Sequence, residues 1–260
     1  MKTIKDIVDK LKMTDEPGPW IDELLQDSRV GVKKAIDRWQ RQYDKKKAII
    51  DQHHAKEAFD RSFAPFDGAK VAGVDEAGRG PLAGPVVTAA VILPQEAPEL
   101  VGLDDSKQIS KVERERLAGK IRDVAIAYSI HIQSASQIDA LNIYAATRVS
   151  MEQAVKGLEL APDFVIADAM TLQIDCSTKS IIKGDAQSLA IAAASILAKT
   201  TRDALMDDLH KEFPMYNFSK NAGYGTAEHV QALQLYGPCI HHRATFEPVK
   251  SMLAERRRNE

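Results

Sequence analysis

The sequence predicts an α/β fold behind a helical extension, and three observations lead there. Residues 1 to about 60 place apolar side chains at helical spacing amid dense charge, with no strand-like run. From residue 69 onward, short Val-, Ile- and Ala-rich runs alternate with helical stretches. The last third returns to helical signals and ends in Arg256-Arg257-Arg258. With 260 residues, 44% hydrophobic and 28% charged, the chain holds one sizeable core and a smaller appended unit, and is too apolar for wholesale disorder. The expected division is residues 1–66 as the extension and 67–260 as the main domain.

The extension reads as three helices: Ile4, Ile7, Val8 and Leu11 stripe the first, Ile21, Leu24 and Leu25 the second, and Val32, Ala35, Ile36 and Trp39 the third. Pro17-Gly18-Pro19 separates the first two, and Asp27-Ser28 offers a cap near the start of the third. The charged stretch from Arg38 to Glu57 reads as a solvated helix face, with Lys45-Lys46-Lys47 the one place able to touch phosphates.

At Pro65 the character changes. Ala69–Val74 is a strand ending at Asp75-Glu76, and Val86–Leu93 a second strand closed by Pro94. The glycines and prolines of residues 77–85 force a tight loop between them. Ser110 with Glu113, and Ser136 with Asp139, mark helix starts on either side of a strand expected at Val124–Gln133. The second of these helices is expected to continue to about Leu160, before Pro162. Phe164–Ala167 should be a strand delivering Asp168, and Ser180–Gly184 another delivering Asp185. A long helix then runs from Ser188 to about Lys211, its small residues 192–195 fit for close packing on a sheet. Another spans Ala227–Tyr236 and is stopped by Gly237-Pro238.

Some function classes are disfavoured outright. Cys176 and Cys239 are too few and too far apart for a disulfide framework or a CxxC metal site, and read as reduced thiols. The N-terminus lacks a signal peptide's apolar core, and no apolar run reaches the roughly 18 residues a membrane span needs, so a cytoplasmic location away from membranes is expected. No GxxxxGK[ST], and no GxGxxG after a strand, supports a P-loop or dinucleotide fold. The net charge of −2 does not announce a nucleic-acid binder, although an acidic metal site can mask a local basic groove.

Asp75, Glu76, Asp168 and Asp185 are the candidate catalytic and metal-binding residues, acids expected at strand ends along one sheet edge. Such a cluster repels itself unless cations neutralise it. Carboxylate oxygens without His or Cys at useful spacing favour Mg2+ or Mn2+ over zinc. Two such ions suit phosphate-ester cleavage. Spacing alone does not establish convergence, and Asp185 ahead of a helix also fits a capping role. Gly78-Arg79-Gly80 could bring amides and a guanidinium against a phosphate or ribose, although the tripeptide also occurs in plain turns.

The run Val74–Val86, containing Asp75-Glu76-Ala77-Gly78-Arg79-Gly80-Pro81-Leu82-Ala83-Gly84-Pro85, resembles the signature of bacterial ribonuclease HII, a type 2 ribonuclease H. Similar segments follow in family order: Asp105-Ser106-Lys107, Asn142-Ile143, Lys183-Gly184-Asp185 with residues 191–199, Thr201-Arg202-Asp203, Gly223-Tyr224-Gly225-Thr226 and His242-Arg243-Ala244-Thr245-Phe246. The resemblance implies a ribonuclease H-like mixed central sheet flanked by helices, with a helical C-terminal part. It implies an endonuclease that cuts the RNA strand of RNA/DNA hybrids and cuts 5′ of single ribonucleotides in duplex DNA by a two-metal mechanism. The cut would leave 3′-hydroxyl and 5′-phosphate ends and serve ribonucleotide removal and RNA primer removal. Asp75, Glu76, Asp168 and Asp185 match the family's metal ligands. Gly78, Arg79 and Gly80 match the loop that reads the 2′-hydroxyl, Tyr224 matches the junction tyrosine, and Lys107 and Lys183 are implied phosphate contacts. A monomer is expected, with the N-terminal helices open to a protein partner. Ala169-Met170 departs from the glycine or asparagine common after the third acid. Ribonuclease HIII is the nearest alternative, disfavoured by Arg79 and by a helical extension; a non-catalytic hybrid-binding adaptor is the alternative from another class.

Overall fold

The computed structural model describes residues 3–103 and 109–259; Lys107, with the rest of Asp105-Ser106-Lys107, lies outside the described residues. The chain forms two compact units, Met1–His54 and Ala55–Glu260.

The first unit holds α1 (Ile4–Lys12), α2 (Pro19–Leu25) and most of α3 (Val30–Arg61). Thr3 and Asp6 close a capping box on α1, a device that stabilises a helix start by about 1 kcal/mol. Pro19 opens α2 at a position where its missing N–H goes unneeded. The three apolar stripes meet in a small core of Ile7, Leu11, Ile21, Val32, Ile36 and Trp39. The Trp39 indole N–H donates to the Thr14 carbonyl at 2.8 Å, and Lys46 pairs with Asp15.

In the second unit, β1 (Val71–Ala77), β2 (Val86–Ile92), β3 (Ala127–Gln133), β4 (Phe164–Asp168) and β5 (Ser177–Ile181) form one mixed sheet in the order β3-β2-β1-β4-β5. β1 runs antiparallel to β2 and parallel to β4. Side-chain alternation divides the buried faces. Val87, Ala89 and Val91 pack with α4 (Lys111–Val124) and with α8, whereas Ala72, Val74, Ala90, Ile92, Val165 and Ala167 pack with α6. α5 (Ala135–Leu141) precedes α6 (Ile143–Lys156), and the short α7 (Gly184–Gln187) precedes α8 (Leu189–Glu212). α8 lies hard against β1: a Cβ on Gly73 would come within 2.2 Å of the Ala190 backbone. The small residues of α8 permit that approach. The C-terminal part comprises α9 (Phe218–Asn221), α10 (Ala227–Tyr236) and α11 (Val249–Asn259), gathered around Leu82, Ala83, Met206, Tyr216, Phe218 and Leu233.

Several expectations are corrected. Ser134, not Ser136, caps α5, in a capping box with Gln137. The single helix expected to reach Leu160 is two helices broken at Asn142, whose φ of 67° no helix tolerates and whose side chain accepts from Ala145 N to start α6. Val124 ends α4 rather than opening a strand. β5 stops at Ile181, so Asp185 lies in the first turn of α7 and not at a strand end. Lys56 and Glu57, read as part of a solvated face, are buried. The basic tail continues α11.

Candidate active site

The β1–β4 pairing sets the site. Val74 stands opposite Ala167, so the next residues, Asp75 and Asp168, share a register position and, by alternation, the face toward α8. Asp75 is 5% exposed. Its carboxylate accepts hydrogen bonds from the Ser195 hydroxyl on α8 and from the Glu76 amide at 2.7 Å. Burial, then the charges of Glu76 and Asp168, push the Asp75 carboxyl well above its ordinary range. Those two hydrogen bonds act in the opposite direction.

Asp168 Oδ1 accepts from Gly184 N at 2.7 Å, tying the end of β4 to the turn that carries Asp185. Lys183 enters that turn in the left-handed region, exposed, with φ 55°. Asp185 is anchored through its backbone: buried Lys56, at the end of α3, donates to the Asp185 and Leu103 carbonyls at 3.2 and 3.1 Å. Asp185 is not the cap of α8; Ser188 is, with its hydroxyl accepting from Ile191 N. Asp75, Glu76 and Asp168 therefore interact directly, and Asp185 follows the residue that holds Asp168. Among the described residues, no three His, Cys, Asp or Glu side chains converge closely enough to hold a metal ion as they stand.

The loop after β1 is fixed from beneath. Gly78 has φ +98°, and a Cβ there would meet Arg202 Nε at 2.0 Å, so only glycine fits. Arg202 donates to the carbonyls of Pro85, Ala222 and Ala83, and Arg243 to those of Gly84, Arg79 and Gly78. Both guanidiniums are buried, and burial followed by the charge of Arg202 pushes Arg243 down to about 9. Above them, Arg79 pairs with Glu76 at 3.4 Å. The Tyr224 ring is half exposed and lies beside Gly80, 3.5 Å from where a Cβ would stand. Leu82 N donates to Gly223 O, which joins the two loops.

Sequence reasoning misses four residues here: it places Ser195 among side chains that only pack and Lys56 on a solvated face, and gives Arg202 and Arg243 no role beyond their place in the family-like segments. Arg202 lies seven residues after Ser195, which puts both on one helical face among small side chains. A cation at such a position signals a buried role, and that signal was available. Lys56 and Arg243 carried none, because their partners are carbonyls far along the chain.

The ribonuclease HII family matches residues 72–249, and the ribonuclease HII N-terminal domain matches residues 3–64. The chain belongs to the ribonuclease HII family. Ribonuclease HII of Bacillus licheniformis is 45% identical over 96% of this chain and 98% of its own. Among solved structures, ribonuclease H2 from Pyrococcus horikoshii is 27% identical with a TM-score of 0.63, covering 74% of this chain and all of that one. Bst-RNase HIII in complex with Mn2+ shares the fold at 17% identity and a TM-score of 0.59, over 77% of this chain and 73% of its own. Ribonuclease HII membership makes the chain an endonuclease of ribonuclease H type, with the ribonuclease H-like fold. The extension that lies outside the signature run is thus part of the ribonuclease HII pattern. No helix among the described residues is long and apolar enough to cross a membrane.

Proposed function

We propose that this protein hydrolyses the RNA strand of RNA/DNA hybrids and cuts 5′ of single ribonucleotides embedded in duplex DNA, with Asp75, Glu76, Asp168 and Asp185 holding two Mg2+ or Mn2+ ions. The observation that carries the reading is the buried Asp75 carboxyl, pressed by Glu76 and Asp168 directly before a loop whose carbonyls are clamped by buried Arg243. A buried acid facing two like charges suits cations, and an all-oxygen donor set suits hard ones. When bound, such ions activate water and stabilise the leaving oxygen.

The chain's own groups do the rest. Ser195 orients Asp75, and Gly184 N orients Asp168. Gly78, Arg79 and Gly80 present backbone and a guanidinium to the 2′-hydroxyl, the group that separates RNA from DNA at one nucleotide. Tyr224, half exposed beside Gly80, packs on the sugar or base at the RNA-to-DNA junction. Exposed Lys183 contacts a phosphate, as does Lys107 by resemblance. Buried Arg202 and Arg243 add positive charge beneath the loop, which answers the net charge of −2 locally. In the reaction a water oxygen bonds to phosphorus and the bond to the 3′-oxygen breaks, leaving 3′-hydroxyl and 5′-phosphate ends. The matching task is clearing ribonucleotides and RNA primers from DNA.

The test is cleavage of a duplex carrying one ribonucleotide, with Mg2+ or Mn2+. Wild type should cut it and spare the all-DNA duplex. Asp75→Asn should lose about 1,000-fold or more, the scale of several kcal/mol of charge stabilisation. Unchanged cutting by Asp75→Asn would sink the site, and equal cutting of both duplexes would sink the 2′-hydroxyl role.

A further inference from the structure

Beneath the Tyr224 loop lies a buried pair of imidazoles. His229 on α10 and His242 in the segment before α11 approach Nε2 to Nε2 at 3.0 Å, and both are buried. Each outer nitrogen meets a backbone group whose role is fixed. Cys239 N–H donates to His242 Nδ1 at 2.9 Å, and His229 Nδ1 lies 2.9 Å from the Tyr224 carbonyl, which can only accept. The proton positions follow. His242 Nδ1 must be bare, so its proton is on Nε2 and donates to His229 Nε2; His229 therefore carries its proton on Nδ1 and donates to Tyr224 O. The chain Cys239→His242→His229→Tyr224 is directional and closes only when both rings are neutral. One more proton would set N–H against N–H.

We propose that this His242–His229 relay is a positioning device that sets the Tyr224 backbone, and through it the ring beside Gly80, so that it governs how the enzyme recognises an RNA-to-DNA junction. The inference rests on the substrate reading of Tyr224 given above. The same stretch of chain is knit to the glycine loop: Gly84 N donates to His241 O, Arg243 N donates to Leu82 O, and Ala83 bridges His242. A change at the pair is therefore transmitted both to the Tyr224 backbone and to the glycine loop.

The surroundings favour neutrality. Phe218 and Tyr216 pack against both rings. The titratable groups around the pair are the Tyr216 phenol, which donates to Gly237 O, the Cys239 thiol and His241, with Arg256 beyond Tyr216 and Glu212 beyond Cys239. Burial, then the neighbouring His229, pushes His242 down to about 4, and burial lowers His229. A histidine with a lowered folded pKa contributes stability that is fully present above about 6.5 and lost as pH falls toward the folded value.

Two measurements test the relay. In wild type, 15N resonances of the ring nitrogens should report the Nε2–H tautomer for His242 and the Nδ1–H tautomer for His229, with His242 still neutral at about pH 5.5, a full unit below the ordinary histidine value. The reverse tautomers, or a cationic His242 at that pH, would overturn it, and this readout needs no variant to fold. The second is the ratio of kcat on a single-ribonucleotide duplex to kcat on a continuous hybrid. Tyr224→Ala should lower this ratio about 10-fold, the scale of one positioned contact. His229→Leu should reproduce that loss with KM within about 2-fold. His229→Asn, whose side-chain amide can still donate to Tyr224 O, should recover most of it. A changed ratio in Tyr224→Ala with none in His229→Leu overturns the relay alone. An unchanged ratio in Tyr224→Ala overturns the substrate reading of Tyr224, and the relay with it as a specificity device.

Discussion

Asp75 shows how one residue ties stability to chemistry. The residues that precede it on β1, Ala72 to Val74, are apolar and buried, and its carboxyl is buried with them, facing Asp168 across the pairing and Glu76 next in sequence. For an acid whose folded pKa is raised, the protonated form is favoured on folding. The folded state therefore loses stability as pH climbs above the ordinary carboxyl value, and burying the charge destabilises the metal-free protein at neutral pH. Asp75→Asn removes the charge and keeps most of the shape. Without metal, the variant should melt above wild type at pH 8, by roughly 2 to 4 °C for each kcal/mol of relieved charge burial and repulsion, with a smaller gap at pH 5. Added Mg2+ or Mn2+ should raise the wild-type Tm more than that of the variant, since a ligand that binds only the folded state stabilises it by mass action. Calorimetry at both pH values decides, and a variant that melts below wild type at pH 8 would refute the strained-acid account.

At the level of elements, the sheet and helices were largely legible, because each rests on a local signal. β1 and β2 announce themselves through apolar runs bounded by Pro65 and Pro94, and Ser110 and Glu113 mark the start of α4. What escaped is set by contacts distant in sequence. Asp185 sits in α7 because Gly184 turns back onto Asp168, whereas the break at Asn142, with its positive φ and its cap on Ala145 three residues on, is the local exception. The start of α8 belongs with Asp185. Asp60, on α3, accepts from Ala190 N at 2.9 Å, a cap supplied from far upstream. Burial pushes its carboxyl up to about 6, against hydrogen bonds from Ser188, Ala190 and Leu189 and the charge of Lys56. With a folded pKa above the ordinary 3.8, the contribution of Asp60 is largest below that value and declines as pH rises through about 6. Asp60→Asn should flatten this slope. The wild-type urea midpoint should fall relative to that of the variant as pH rises from about 4 to 8, and a wild type that gains on the variant over that range would contradict the shift.

For the whole molecule the question is where the catalytic unit begins, since composition places the change at residue 66 and compactness places it after His54. The two answers differ by the last turns of α3, and those turns carry specific bonds. Lys56 donates to the carbonyls of Leu103 and Asp185, Glu57 accepts from Ala97 N at 2.8 Å, Asp60 accepts from Ala190 N, and the Phe63 ring meets Phe164 at the start of β4. Glycine, proline and charge could not reveal this, because the hydrogen-bond partners lie dozens of residues downstream. A chain lacking residues 1–54 keeps every one of these contacts and should fold and retain cleavage of a hybrid. A chain lacking residues 1–66 leaves the Leu103 and Asp185 carbonyls and the Ala97 and Ala190 amides without their partners. At about 1 kcal/mol or more for each abandoned buried group, the loss should reach several kcal/mol, enough to consume a large part of ordinary domain stability. The Asp185 turn should loosen with it, so the longer deletion should lose cleavage even where it stays folded. Urea unfolding and hybrid cleavage of the two deletions, side by side, settle the boundary: equal midpoints and equal rates would return it to residue 66.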